Sequence, residues 1–506
     1  MTVRTLMACA MMATLAVGQP AQAQNDKPSG NAFNQGRVSA GGSGTSAFNQ
    51  NRVGNFNDYR QKLNAEYVSK TREKWLSFNS VRGMDIPDRD VKPVEPIRMS
   101  DEEARRERQG RQVTIETVVK PVKATPRPQP PAPIRELPQE DAQYLLFNFY
   151  GSPCKVRFPE KGKVRLAAVS ENAVADAWER LCGPQYNNLV VDCMKLRNEH
   201  QLCDWAYLLM LQAMAEAACG QASNEATLLM AFVYSQSGYK IRLGQAAGQL
   251  EMLYACQHNI YNRSYYTLDG EKFYAFNKEV KSIHINAARY PKEQSLSLWV
   301  PRTPQTAFQP TAPRTLTSKR YPDMSVTVTE NKQLLSFYDT YPTSEVGGNF
   351  MTRWAMYANT PVSREVQAEL YPQLRQAISG VSQQMAVEKL LNWVQTAFVY
   401  EFDDKVWGAD RAFFPDETLH YPYCDCEDRS ILFTRLVRDL LGLPCVLIYY
   451  PGHLASAVAF SEPVGGDYIQ TQGKRFVVCD PTYIGAPVGR TMSKMDNASA
   501  KVILLQ

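Results

Sequence analysis

Three stretches decide how this chain is read: residues 424–444, CDCEDRSILFTRLVRDLLGLP; residues 449–458, YYPGHLASAV; and residues 474–483, KRFVVCDPTY. Cys426, His453 and Asp480 stand in them at equal intervals of 27 residues. After Cys426, apolar residues recur with helical spacing at Ile431, Leu432, Leu436, Val437, Leu440 and Leu441. Gly442 and Pro444 then stop the helix. Residues 446–450 predict a strand that leads through Pro451-Gly452 to His453. Residues 454–460 predict the next strand, and residues 475–479 a third that ends at Asp480.

These side chains are what thiol catalysis requires: a nucleophile, a base in reach and a group that orients the base. A cysteine near a helix N-terminus sits in a partial positive charge that favours thiolate. Glu427 and Asp428 oppose it, so His453 must supply the activating cation. Asp480 is placed to accept a hydrogen bond from the imidazole and fix its tautomer.

Over residues 385–490, about a fifth of the chain, the DCED–helix–GLP stretch, the GH strand and the VCDPTY ending resemble the transglutaminase-like superfamily, a branch of the papain-like cysteine fold, in an exported bacterial form. The resemblance implies an α+β fold with Cys426 as nucleophile, His453 as base and Asp480 as orienting acid; no cofactor and no metal ligand is read from the sequence, and no EF-hand loop occurs. Two positions depart from the pattern. Cys424 stands where glycine is common, and Leu454 where an aromatic is usual. The oxyanion hole would take the Cys426 backbone N–H and an upstream donor, for which Trp407 is a candidate. The implied activity is attack on an amide or peptide bond through a thioester, as a peptidase or amidase with water or a cross-linking acyltransferase with an amine.

Two rival readings use the same residues. A metal site would draw on Cys424, Cys426, His453 and Cys479, without the compact C-x-x-C pairs of a zinc site. A non-catalytic envelope scaffold would hold Cys424 and Cys426 in disulfides or metal. Bridges Cys424–Cys445 or Cys445–Cys479 are easier than Cys424–Cys426, because residues two apart rarely meet disulfide geometry.

Residues 1–23 read as a secretory signal peptide, with an apolar stretch ending in Ala21-Gln22-Ala23. The expected location is periplasmic or secreted, with no transmembrane segment. The net charge of +5 over 506 residues is too diffuse for nucleic acid. The expected partners are a protein or peptide substrate and an envelope protein. An oxidising compartment permits disulfides among Cys154, Cys182, Cys193, Cys203, Cys219 and Cys256.

Residues 24–58 read as a low-complexity tail with two related heptads, AFNQGRV at 32–38 and AFNQNRV at 47–53. The heptads suit a duplicated spacer or a docking motif for the envelope partner. Residues 59–140 read as a helix over 59–82, a capping box at Ser100 and Glu103, and an extended Pro-rich linker over 120–138. Residues 301–322 read as a connection, and residues 323–506 as the catalytic module, with Pro372 ending or kinking a helix.

Residues 141–300 resemble the catalytic stretch. A shift of 204 lays residues 225–238 over 429–442 and matches Leu228, Val233, Gly238, Gly248 and Leu250 with their counterparts; a shift of 203 matches Gly270 and Phe273. In this frame Cys426, His453 and Asp480 fall on Ala222, Gln249 and Asn277. The expectation is a degenerate transglutaminase-like copy, a pseudoenzyme module that binds or scaffolds.

Overall fold

The hairpin expected around Pro451-Gly452 lies at the centre of one of two six-stranded sheets. The computed structural model describes residues 45–87, 95–106, 110–121, 125–138, 143–159, 164–277, 279–493 and 495–506, with side chains from residue 58 onward. Strands β1 (Leu76–Asn79), β3 (Ile241–Ala246), β4 (Gln249–Ala255), β5 (Tyr266–Leu268), β6 (Glu271–Ala275) and β7 (Ser282–Ile285) form the first sheet, in the order β1-β7-β3-β4-β6-β5. Strands β2 (Thr117–Val119), β8 (Cys445–Tyr450), β9 (His453–Val458), β10 (Tyr468–Thr471), β11 (Lys474–Cys479) and β12 (Lys501–Leu504) form the second, in the order β2-β12-β8-β9-β11-β10. The fold is mixed α+β.

The two sheets share order and register. Pairing runs from Ile241↔Tyr254 to Ala246↔Gln249 in the first and from Cys445↔Val458 to Tyr450↔His453 in the second, the same six pairs displaced by 204. Tyr254↔Tyr274 answers to Val458↔Val477, and Tyr266↔Phe273 to Ile469↔Phe476. The hairpin turns differ in chemistry. Ala247 and Gly248 both have positive φ, as a type I′ turn demands, whereas Pro451-Gly452 has only Gly452 there. The edge pairings differ too: β1 is antiparallel to β7, and β2 is parallel to β12.

One helix packs on the centre of each sheet: α2 (Asn224–Gln236) on the first and α4 (Cys426–Leu441) on the second. Residues 226–236 of α2 are all buried, which explains a sequence that is apolar nearly all round. Helix α4 ends at Gly442, left-handed at φ 66°, as the sequence predicted. Strands β8 and β9 are buried almost throughout. Val446, Ile448 and Tyr450 join Ala455 and Ala457 in one apolar cluster, while Leu447 and Leu454 join the larger one that includes Cys426. This is the period-2 alternation of a strand covered on both faces.

Several expectations fail for tertiary reasons. The helix expected over 59–82 is α1 (Thr45–Thr71), which begins inside the stretch read as a tail and carries the backbone of the second heptad. It stops where Trp75 buries its ring and donates from Nε1 to Thr71 O at 3.0 Å, and Leu76–Asn79 then turns into β1. The first heptad and the leader lie outside the described residues. The Pro-rich stretch is no free linker. Leu137 and Asn188 exchange backbone–side-chain bonds of 2.8 and 3.2 Å, and Arg127 Nη1 bonds Asn198 Oδ1 at 2.6 Å. The connection at 301–322 contains the strand Arg314–Thr317, paired with Ser325–Val328. Pro372 does not end its helix: it sits inside Arg364–Ala377, which runs on with Val366, Leu370 and Leu374 buried on either side of it. The ten cysteines at positions 154–479 form no disulfide.

The halves of the unit Val53–Gln506 meet at a short antiparallel pairing of Asn259–Ile260 with Ser344–Glu345. His258, 3% exposed, lies beside it with Nδ1 3.4 Å from Ser344 Oγ. Burial pushes its pKa down to about 4. The unfolded histidine takes a proton near pH 6.5 and the folded one only near 4, so stability is lost as pH falls through that window. The full loss is about 3 kcal/mol. Urea unfolding across pH 4–7 should therefore show a flatter pH dependence for His258→Gln than for wild type; parallel curves would remove His258 from the account.

Candidate functional site

Helix α4 begins at Cys426. Its N-cap, Asp425, accepts from Glu427 N at 2.9 Å, and Asp428 accepts from Asp425 N at 3.1 Å, closing a capping box. One turn on, Ser430 Oγ donates to Leu454 O at 2.8 Å. Residues four apart share a helix face, so this bond sets the Cys426 side of the first turn beside the start of β9.

His453 opens β9, and its ring lies parallel to Tyr450, its cross-strand partner, with centroids 6.4 Å apart. Its Nε2 is 2.9 Å from Asp480 Oδ2. Asp480 follows the last residue of β11, and its other oxygen accepts from Thr482 N at 2.9 Å and Tyr483 N at 3.2 Å. Gln395 Nε2 donates to the carbonyls of Asp480, Tyr483 and Ala486 and pins the same turn. One carboxylate oxygen is thus spent on the backbone and the other is aimed at the imidazole. His453 Nδ1 is buried without a hydrogen-bond partner. The structure brings His453 and Asp480 into contact, and the Ser430–Leu454 bond sets the start of α4, which Cys426 opens, beside β9. Cys426, His453 and Asp480 are 2%, 2% and 3% exposed, so all three are buried.

The other sequence candidates lie elsewhere. Trp407 donates its backbone N–H to Asp403 O at 2.6 Å, and its ring packs on Phe413 and Tyr421 under Arg411. Cys424 Sγ is 3.5 Å from Arg429 Nε; burial nevertheless raises its pKa. Burial pushes Cys445 up to about 12 and Cys479 well above the ordinary thiol range. The rival metal set does not converge. Among the described residues, the group with ligand atoms within 4.8 Å of one another is Asp403, Asp410 and Glu427.

That acidic group is the part of the site the sequence reading missed. Arg353, on α3 (Thr352–Asn359), has no exposed side-chain surface and lies 2.6 Å from Asp410 and 3.2 Å from Glu427. Burial first and the charge of Asp425 second push the Asp403 and Asp428 carboxyls upward, which favours their neutral forms. The opposition to a Cys426 thiolate is weaker than a count of carboxylates suggests. The signal was present as the run of acids at 425, 427 and 428 with Asp410 upstream, but nothing local names an arginine more than 50 residues away.

In the first half the corresponding residues also stand at the corresponding places. Gln249 opens β4, as His453 opens β9. Asn277 follows the end of β6, with Phe276 N bonded to Met252 O at 2.9 Å and its own Nδ2 3.3 Å from Thr227 Oγ1. Helix α2, however, starts at Asn224, capped by Ser223, so Ala222 lies outside it at φ 52°.

No family model matches the chain, and no curated protein or solved structure does either.

Removing one partner of a buried ion pair leaves an uncompensated charge and costs about 3–5 kcal/mol. Arg353→Met should lower stability by that order, and adding Asp410→Asn and Glu427→Gln should recover much of it. A single variant as stable as wild type in urea would mean that both acids are already neutral.

Proposed function

We propose that this chain is an exported transglutaminase-like cysteine enzyme acting on amide or peptide bonds. The observation that carries the reading is the His453 ring: Nε2 is held by Asp480, and the buried Nδ1 is left unpartnered, in the residue before Leu454, whose carbonyl Ser430 of α4 reaches. A buried, unsatisfied ring nitrogen costs about 1–3 kcal/mol, a burden that a role with the thiol explains.

The chemistry then runs as acyl transfer. The Cys426 proton passes to His453 Nδ1, and the thiolate sulfur bonds the carbonyl carbon of the substrate amide. The C–N bond breaks as the imidazolium returns its proton to the leaving amine, leaving a thioester on Cys426. Water gives a carboxylic acid and a second amine gives a new amide; either restores the thiol. Asp480 orients the ring and stabilises the imidazolium without taking the proton. The compartment suggests envelope proteins or peptidoglycan peptides as substrates. The first half, with neutral residues at the three positions, belongs to the same reading as a degenerate copy.

One observation favours a non-catalytic envelope scaffold instead. Cys426, His453 and Asp480 are all buried, at 2%, 2% and 3% exposure.

Alkylation separates the two. With iodoacetamide and mass-spectrometric site assignment across pH 4–9, Cys426 in the enzyme should react at a rate nearly flat from about pH 5 to 8, because the thiolate is already paired. In His453→Ala the rate should rise about tenfold per pH unit over that range, as for an ordinary thiol below its pKa near 8.5. Identical profiles in both proteins would mean that the thiol and imidazole are not coupled, and the scaffold reading would stand.

A further inference from the structure

The positions that are buried in the second half are open to a cavity in the first. Ala222, Gln249 and Asn277 line one cavity of about 460 Å³. Ala222 and Gln249 are exposed, whereas Cys426 and His453 are buried. Shared register therefore carries the positions of the three candidate catalytic residues to the wall of a cavity in the half where no thiol or imidazole occupies them.

The lining states what it suits. Trp205, Leu250 and Phe276 give apolar walls. Gln212, Asn224, Gln249 and Asn277 add four side-chain carboxamides, each a donor and an acceptor at once. Asn224 Oδ1 accepts from Leu250 N at 2.9 Å, so that carboxamide is fixed in orientation. Glu216, Glu251 and Arg263 also line the cavity, a formal excess of one negative charge. Arg263 Nη1 is held by Tyr254 OH at 3.0 Å. Flat aromatic walls with fixed carboxamides complement planar amide groups, which also donate and accept. The volume lies in the range of small-ligand sites.

We propose that this cavity binds an extended peptide segment, neutral or basic in its side chains, and holds it without processing it. The peptide class rests on the reading of the second half as a peptide-acting module; the cavity, its lining and its openness do not. Gln249 in place of a base and Asn277 in place of an acid leave hydrogen bonding intact while removing proton transfer at neutral pH. The first half then serves as a second substrate-holding site on the same chain.

The test uses the full mature chain carrying Cys426→Ala, so that nothing is turned over. Calorimetric titration is made with three N-acetylated, C-amidated tripeptides bearing a central glutamine, lysine or aspartate. The glutamine and lysine peptides should bind, the aspartate peptide at least tenfold more weakly. Gln249→Trp should fill the mouth of the cavity and weaken binding at least tenfold; because Gln249 is exposed, the melting temperature should hold, and in the Cys426-containing chain so should Cys426 alkylation. Asn277→Ala, a smaller change, should weaken binding several-fold. No binding by any of the three peptides, binding that ignores Gln249→Trp, or tighter Gln249-dependent binding of chitotriose than of peptide overturns the proposal. Peptide binding that survives alongside an uncoupled Cys426 would sink the enzyme reading and leave this one standing.

Discussion

A guanidinium without exposed surface sits beneath the helix that carries Cys426. Arg353 comes from α3, Asp410 from the loop before the helix Pro415–His420, and Glu427 from the first turn of α4. Each charge alone would cost several kcal/mol in such a place, so the three segments are stable only together. The next residue, Trp354, stacks on Tyr449 of β8 at 5.4 Å. The ion pair therefore ties α3 to the helix while its neighbour ties α3 to the hairpin. Ser430 closes the loop by bonding Leu454 O. The position of Cys426 relative to β9 follows from that closed set of contacts rather than from the preferences of its own stretch.

This explains which parts of the molecule could be read in the sequence. Helix α4 and the hairpin carry local punctuation: a capping acid, Gly442 at a left-handed C-cap and Gly452 at a tight turn. Their bounds, and the contact of His453 with Asp480, were legible because each step depends on neighbours in the chain. The edge strands were not. β1 and β2 are short segments whose strand character exists only because β7 and β12 offer an unpaired edge. The Pro-rich stretch has the composition of a linker, and its docking on Asn187, Asn188 and Asn198 lies in residues about 50 to 70 positions away. Pro372 shows the same limit from the other side. Its ring removes a hydrogen bond, but the apolar contacts of Leu370 and Leu374 outweigh a local rule.

The agreement of the two sheets is harder to produce by chance than seven matched residues. Generic patterning can yield a helix followed by a hairpin. It does not yield six strands in one order, with the same cross-strand pairs in three separate ladders. A slip of one residue in either hairpin would turn every side chain to the opposite face. Within that shared frame the halves diverge where chemistry is at stake. Helix α4 reaches back to residue 426 and buries its thiol, while α2 starts two residues late and leaves Ala222 outside at positive φ. An alanine with φ 52° is a conformation that L side chains adopt rarely, and it persists here beside the cavity. The half with Cys426 and His453 buries them, and the half with Ala222 and Gln249 at the matching positions exposes them at the wall of a cavity.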